Sequence, residues 1–138
     1  KIYLMGKSLK DALFIYKRCR INAQIMEIMA MIPGKDFAYY HSTASLTLGD
    51  TIYDKTNVVE TTLHFQYLQS VGYIRGYQDG AVELTEEGKK ALRDATLQNL
   101  SMNAYKNYVD IKLKFLTITI SLLSLMISTI SIVIACLK

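Results

Sequence analysis

Leu68-Gln69-Ser70-Val71-Gly72-Tyr73-Ile74-Arg75-Gly76-Tyr77-Gln78-Asp79-Gly80-Ala81-Val82-Glu83-Leu84-Thr85-Glu86-Glu87-Gly88 is the stretch from which the rest of the chain can be read. Gln78-Asp79-Gly80 lies between two short extended runs, Tyr73–Tyr77 and Ala81–Leu84, and Asp-Gly so flanked signals a β-hairpin. Thr85-Glu86-Glu87 then opens a helix, with acids in the first turn where the helix dipole favours negative charge. Its inner face carries Ala91, Leu92 and Ala95. On the other side of the hairpin, Val58, Thr61, Phe65 and Leu68 fall on one face of a helix that Thr56 or Asn57 can cap and that ends before Gly72.

Further toward the N-terminus, Ser8 followed by Asp11 reads as a helix start, and Leu9, Ala12, Leu13 and Tyr16 recur at helical spacing. Ile21, Ile25, Ile28, Met29 and Ile32 continue that period until Pro33-Gly34 stops it, with a break expected near Arg20–Asn22. Phe37–Tyr40 reads as a short strand. Leu46–Tyr53 reads as a short helix closed by Asp54-Lys55-Thr56. After Gly88 neither Pro nor Gly occurs, so the last helix is expected to continue toward the C-terminus with a kink near Asn99–Asn107.

Where it leads is set by Phe115–Leu137, a run free of charge, Gly and Pro. As a helix, its 23 residues would cover about 34 Å, against roughly 30 Å of bilayer hydrocarbon. Residues 1–114 would need to wrap a helix apolar on every side if it were a core element, and Lys112, Lys114 and Lys138 bracket it as interfacial charges do. A transmembrane helix follows. Lys112 and Lys114 precede it and only Lys138 follows, so the positive-inside bias puts the folded part in the cytoplasm of a tail-anchored, single-pass protein. Cys19 and Cys136, one in the folded part and one near the far end of the run, form no disulfide framework.

Helix, short strand, helix, helix, hairpin, helix is the element order of a winged helix-turn-helix. The wording of Asp54-Lys55-Thr56-Asn57, of Leu68–Ile74 and of Leu84–Leu92 resembles the winged-helix domain of MarR- and PadR-type bacterial regulators over about residues 20–95. The resemblance implies a mainly α fold with a small β-hairpin wing and, by family habit, DNA binding. The expected organisation is an N-terminal helical arm over 1–19, a winged-helix domain over 20–95, a helical linker over 96–114 and the transmembrane helix over 115–137.

Charge argues for a different partner. Residues 36–87 hold Lys55 and Arg75 against eight acids, a net −6, while residues 1–35 carry +5 and 88–114 carry +4. The helix that would enter the major groove turns outward Val59, Glu60, Leu63, His64, Gln66, Tyr67 and Gln69, with no Lys or Arg among them. Duplex affinity comes mainly from counterion release by cations, so DNA binding is expected to be weak, with Lys17, Arg18, Arg20, Lys55 and Arg75 as its contacts. Val59, Leu63, His64, Gln66 and Tyr67 suit a protein partner better, since aromatic and apolar anchors dominate protein interfaces. The same strip would equally suit packing against the chain's own first helix or a second subunit.

No enzymatic motif is present. His41 and His64 sit at no metal-ligand spacing, and Asp36, His41, Ser42 and Ser45 resemble no nucleophile elbow, so no catalytic residue, metal or cofactor is expected. Lys106, Lys112 and Lys114 would meet lipid headgroups. Within the apolar run, Thr117, Ser121, Ser124, Ser128, Ser131 and Ala135 are spaced four and three apart in alternation, the period of a left-handed helix seam, and Thr119 and Thr129 fall off it. Such hydroxyls can pair helices in lipid or bond back to their own helix. The expected function is a membrane-anchored, partner-controlled signalling or defence-type effector component that self-associates through its span. The alternative is a membrane-tethered transcription regulator that binds DNA.

Overall fold

The computed structural model describes residues 2–49 and 58–138. The expected Asp54–Asn57 turn, the caps Thr56 and Asn57, and Lys55 lie outside the described residues. The elements run α1 (Ile2–Met31), α2 (Phe37–Leu48), α3 (Val58–Ser70), β1 (Ile74–Gly76), β2 (Val82–Leu84), α4 (Glu86–Arg93) and α5 (Thr96–Leu137).

α1 departs from its expected limits at both marked points. It starts by Ile2 rather than near Ser8, and it passes through Arg20–Asn22 unbroken. The reason is tertiary. α5 lies antiparallel along it, with Gln98 Nε2 donating to Glu27 Oε1 at 3.0 Å, Ser101 Oγ donating to the Tyr16 carbonyl at 3.4 Å, and the Tyr16 and Tyr105 rings 5.1 Å apart. Packing on both sides of the expected break, at Tyr16 and at Glu27, outweighs a weak local stop signal that contains neither Pro nor Gly. Ile21 and Asn22, at the expected break, are fully buried.

Pro33-Gly34 does end α1, and the Tyr40 hydroxyl pins the turn by donating to the Ile32 carbonyl at 2.6 Å and accepting from the Lys35 amide at 3.0 Å. Phe37–Tyr40, expected as a strand, is instead the first turn of α2. Asp36 caps it, its carboxylate accepting from the Tyr39 amide at 2.9 Å. All that is left of a strand here is an antiparallel bridge between Asp36 and Ala81, with the Val82 amide donating to the Lys35 carbonyl at 3.2 Å. Of the helix expected over Leu46–Tyr53, Leu46–Leu48 are the last residues of α2 and Gly49 its C-cap, while residues 50–53 lie outside the described residues.

α3 turns Thr61, Phe65 and Leu68 inward, and the Phe65 ring meets Phe37 edge-on at 5.3 Å. Its end is a Schellman motif: the Tyr73 amide donates to the Leu68 carbonyl at 3.0 Å and the Gly72 amide to the Gln69 carbonyl at 3.1 Å. Gly72 supplies the positive φ, 78°, that this closure needs. The hairpin is antiparallel, Ile74 pairing with Leu84, Arg75 with Glu83 and Gly76 with Val82. Thr85 caps α4, its hydroxyl accepting from the Gly88 amide at 3.0 Å and donating to the Gly72 carbonyl, so one side chain ties the helix start to the end of α3.

The chain bends between α4 and α5 at Asp94-Ala95, and α5 is then continuous from Thr96, without the kink expected near Asn99–Asn107. Ala95 takes the left-handed conformation at φ 53°, ψ 38°. Leu97, Ser101 and Ala104 are the buried residues of α5, and from Lys112 onward every side chain is exposed. The core gathers Ile21, Ile25, Met26 and Met29 of α1 with Phe37, Tyr40, Phe65, Leu68, Ile74, Val82 and Leu97. The fold is mainly α, with a two-stranded hairpin and one C-terminal helix long and apolar enough to cross a membrane.

Candidate functional site

The outer face of α3 carries Val59, 61% exposed, and Leu63, 58% exposed, with Gln66 beside them in solvent. Two residues expected on this strip are elsewhere. His64 is 6% exposed and belongs to the inner face, and Tyr67 is half-buried under the Arg18 guanidinium, which stands 4.5 Å from its ring centre. The reason is periodicity: Thr61, His64, Phe65 and Leu68 are spaced three, one and three apart, the inward stripe of a helix. The strip is therefore narrower than expected and more aliphatic.

Behind it lies a polar group in an apolar setting. The rings of His64 and of His41, from α2, stack with centres 5.4 Å apart and planes 29° apart. His41 is 1% exposed, and its Nδ1 lies 3.1 Å from the Thr61 hydroxyl. Burial lowers the pKa of both histidines. For His64 burial, then His41, then Arg18 push it down to about 4, so both rings are neutral near pH 7. Arg18 also covers Phe14, 5.5 Å from the ring centre. The neighbouring Cys19 thiol is buried and its pKa is raised, chiefly by that burial. Asn22, one turn along α1 from Arg18, is 0% exposed; its amide atoms and His41 Nε2 have no hydrogen-bond partner among the described residues. With their pKa values lowered, the two histidines take up protons in the folded chain only at lower pH than in the unfolded one.

Sequence reading missed this pairing because the two histidines stand far apart in the chain and look solitary. The usable signal was local. His41 falls with Phe37, Tyr40 and Ala44 on the buried face of α2, just as His64 does on α3. No group of three His, Cys, Asp or Glu side chains suited to hold a metal ion gathers among the described residues.

The expected nucleic-acid contacts are dispersed. Lys17, Arg18 and Arg20 are on α1, where Arg18 is committed to Tyr67 and Arg20 Nη1 donates to the Tyr16 hydroxyl at 2.7 Å. Arg75, on β1, pairs with Glu83 across the hairpin. α3, the helix expected to enter a groove, carries no Lys or Arg.

On α5 the residues Thr117, Ser121, Ser124, Ser128, Ser131 and Ala135 are all exposed. Thr117, Ser121, Ser128 and Ser131 donate to carbonyls of their own helix at 2.9 Å, and so do the off-stripe Thr119 and Thr129 at 3.0 and 2.9 Å. Back-bonding occupies each of these protons and leaves oxygen lone pairs outward. Just before the run, Lys106, Lys112 and Lys114 are exposed, Lys112 standing 5.4 Å from the Tyr108 ring centre. Cys19 and Cys136 are both free. Compared with family models, with curated proteins and with solved structures, the chain finds no match in any of the three.

Proposed function

We propose that this chain is a single-pass membrane protein whose cytoplasmic part is a winged-helix module that docks a protein partner, with the span self-associating to deliver a signalling or effector output. The observation that carries this reading is the outer face of α3. Val59, Leu63 and Gln66 offer an apolar patch with a polar edge, on a helix without a cation, where a DNA reader needs positive charge. The bare apolar half of α5 supports the membrane part of the reading, and Lys112 and Lys114 support the cytoplasmic orientation. The hairpin directly after α3 and the capped α4 behind it support the likeness to MarR- and PadR-type domains.

The experiment is purification of the membrane-extracted full chain, wild type and Leu63→Asp, scoring protein and nucleic acid in the same sample. A protein retained by the wild type and lost from the variant supports docking. The alternative, a membrane-tethered transcription regulator, draws on the hairpin and on Arg75 at its surface. A sequence-specific duplex complex that survives physiological salt and does not depend on Leu63 would replace the first reading with the second.

A further inference from the structure

The register of α1 on α5 carries the N-terminal turns of α1 toward the apolar run. Glu27 meets Gln98, Tyr16 meets Ser101 and Tyr105, and each step back along α1 is a step forward along α5. At the end of this ladder Met5 and Ser8 share an open groove of about 810 Å³ with Ile111, Lys114, Thr117 and Ile118. Thr117 and Ile118 belong to the run Phe115–Leu137. If that run crosses the bilayer, Met5 lies at the depth where headgroups give way to hydrocarbon.

The charge at this level is basic. Lys7 and Lys10 flank Ser8 within about 3 Å along the helix axis, and both are exposed, as are Lys112 and Lys114 on α5. Asp11 and Asp110 lie at the same level, the latter on the groove itself. Lys114 and Asp110 are the charged residues of the groove itself; over the whole level four cations stand against two anions, and an anionic leaflet adds attraction for each lysine near the surface. The groove walls are apolar through Met5, Ile111, Leu113 and Ile118. Large aliphatic side chains there suit a flexible chain better than a second helix, which needs small residues for close approach.

We infer that the groove between the start of α1 and the membrane entry of α5 seats an anionic phospholipid of the bilayer, its acyl chain along Met5 and Ile118 and its phosphate on Lys114. The inference rests on the reading of Phe115–Leu137 as a membrane span. The lipid would hold α1 to the membrane surface at its N-terminal end, so that the folded part meets the bilayer through two elements and has a fixed tilt.

The chain has no Trp, so a single introduced indole reports its own depth. Full-length Met5→Trp, with Ser8→Trp as a second reporter in case the first disturbs the fold, is reconstituted into vesicles of phosphatidylcholine and phosphatidylglycerol. Bromine is placed on the acyl chains of one lipid or the other. Leu125→Trp reports insertion of the span, and Met31→Trp reports the far end of α1, about 39 Å from residue 5. The expected result is strong quenching for Met5→Trp and Leu125→Trp and little for Met31→Trp. Brominated phosphatidylglycerol should quench Met5→Trp with about a fivefold preference, the effect of one lysine near an anionic surface, and adding Lys114→Gln should abolish it. An unquenched Leu125→Trp would overturn the span reading itself. With Leu125→Trp quenched, a Met5→Trp and a Ser8→Trp no more quenched than Met31→Trp would overturn the groove's place in the bilayer. Equal quenching by both lipids would overturn the anionic occupant, and quenching relieved by self-association would put a second copy there instead.

Discussion

Lowering the pH from 7 to 5 should weaken this fold, and the stacked histidines set the amount. His64 has its pKa pushed from 6.5 to about 4, by burial first and then by His41 and Arg18. Because the folded value lies below the unfolded one, the unfolded chain takes up the proton first as pH falls. Stability is therefore full above about pH 7, falls below 6.5, and stops falling below about pH 4. At about 1.4 kcal/mol per pH unit the gap gives a ceiling of about 3 kcal/mol, of which about 2 kcal/mol is lost by pH 5. Against the roughly 5–15 kcal/mol of an ordinary domain this is a large share. His41 acts in the same direction, its pKa also lowered by burial. The assay is urea unfolding of the full chain in zwitterionic micelles, followed by the near-ultraviolet circular dichroism of its tyrosines, at pH 7, 6 and 5. His64→Leu should be flatter across this range than the wild type. A wild type equally stable at pH 7 and pH 5, or a His64→Leu variant with the same slope, would refute the argument, because the acid sensitivity would then be absent or belong to other groups.

Gly88→Ala should lower the urea midpoint by about 1–3 kcal/mol in equivalent stability, because an added Cβ would stand 2.1 Å from the Tyr73 carbonyl oxygen, whereas Gly80→Ala, with nothing nearer than 3.9 Å, should be tolerated. Leu63→Asp should leave stability within about 0.5 kcal/mol while removing partner capture, and Leu68→Ala, from the same helix but fully buried, should cost about 2–5 kcal/mol. If Leu63→Asp unfolds the protein, its side chain belongs to the core and the docking face is lost. In membranes, Ser124→Leu with Ser128→Leu should reduce crosslinked oligomers while Thr119→Leu with Thr129→Leu should not, each lost interhelical hydrogen bond costing about 0.6 kcal/mol. A single dimer band would indicate an anchor, a ladder with dye leakage an effector, and a monomer in the wild type would sink the seam.

Legibility in the sequence followed the range of the interactions. The hairpin, the cap at Thr85 and the closure at Gly72 depend on residues within a few positions of one another, so Asp79-Gly80, Thr85-Glu86-Glu87 and Val71-Gly72 announced them. Phe37–Tyr40 misled because aromatic residues favour strands, a preference that depends on packing. The Asp36 cap, a local hydrogen bond visible only with the backbone in place, decided for helix. The bend at Ala95 carried no signal at all. Alanine rarely adopts the left-handed conformation, which costs it about 1–2 kcal/mol, so the bend is imposed by α4 and α5 each packing on α1. The histidine pair was invisible for a related reason: each residue's environment is supplied by a different helix.

α1 explains why these features belong to one device. It touches α2, α3, β2, α4 and α5, and α5 leads to the apolar run. Its face toward α3 carries Arg18, over Tyr67 and near enough to His64 to depress its pKa. Two positions to either side, Tyr16 and Arg20 are bonded to each other, and Tyr16 packs on Tyr105 of α5. Burial in α1 is concentrated over Cys19–Met29, where interior packing resists local deformation. Arg18 and Tyr67 thus join α1 to α3, and Tyr16 and Tyr105 join it to α5. The outer face of α3 and the apolar helix therefore stand on two elements that both pack on α1.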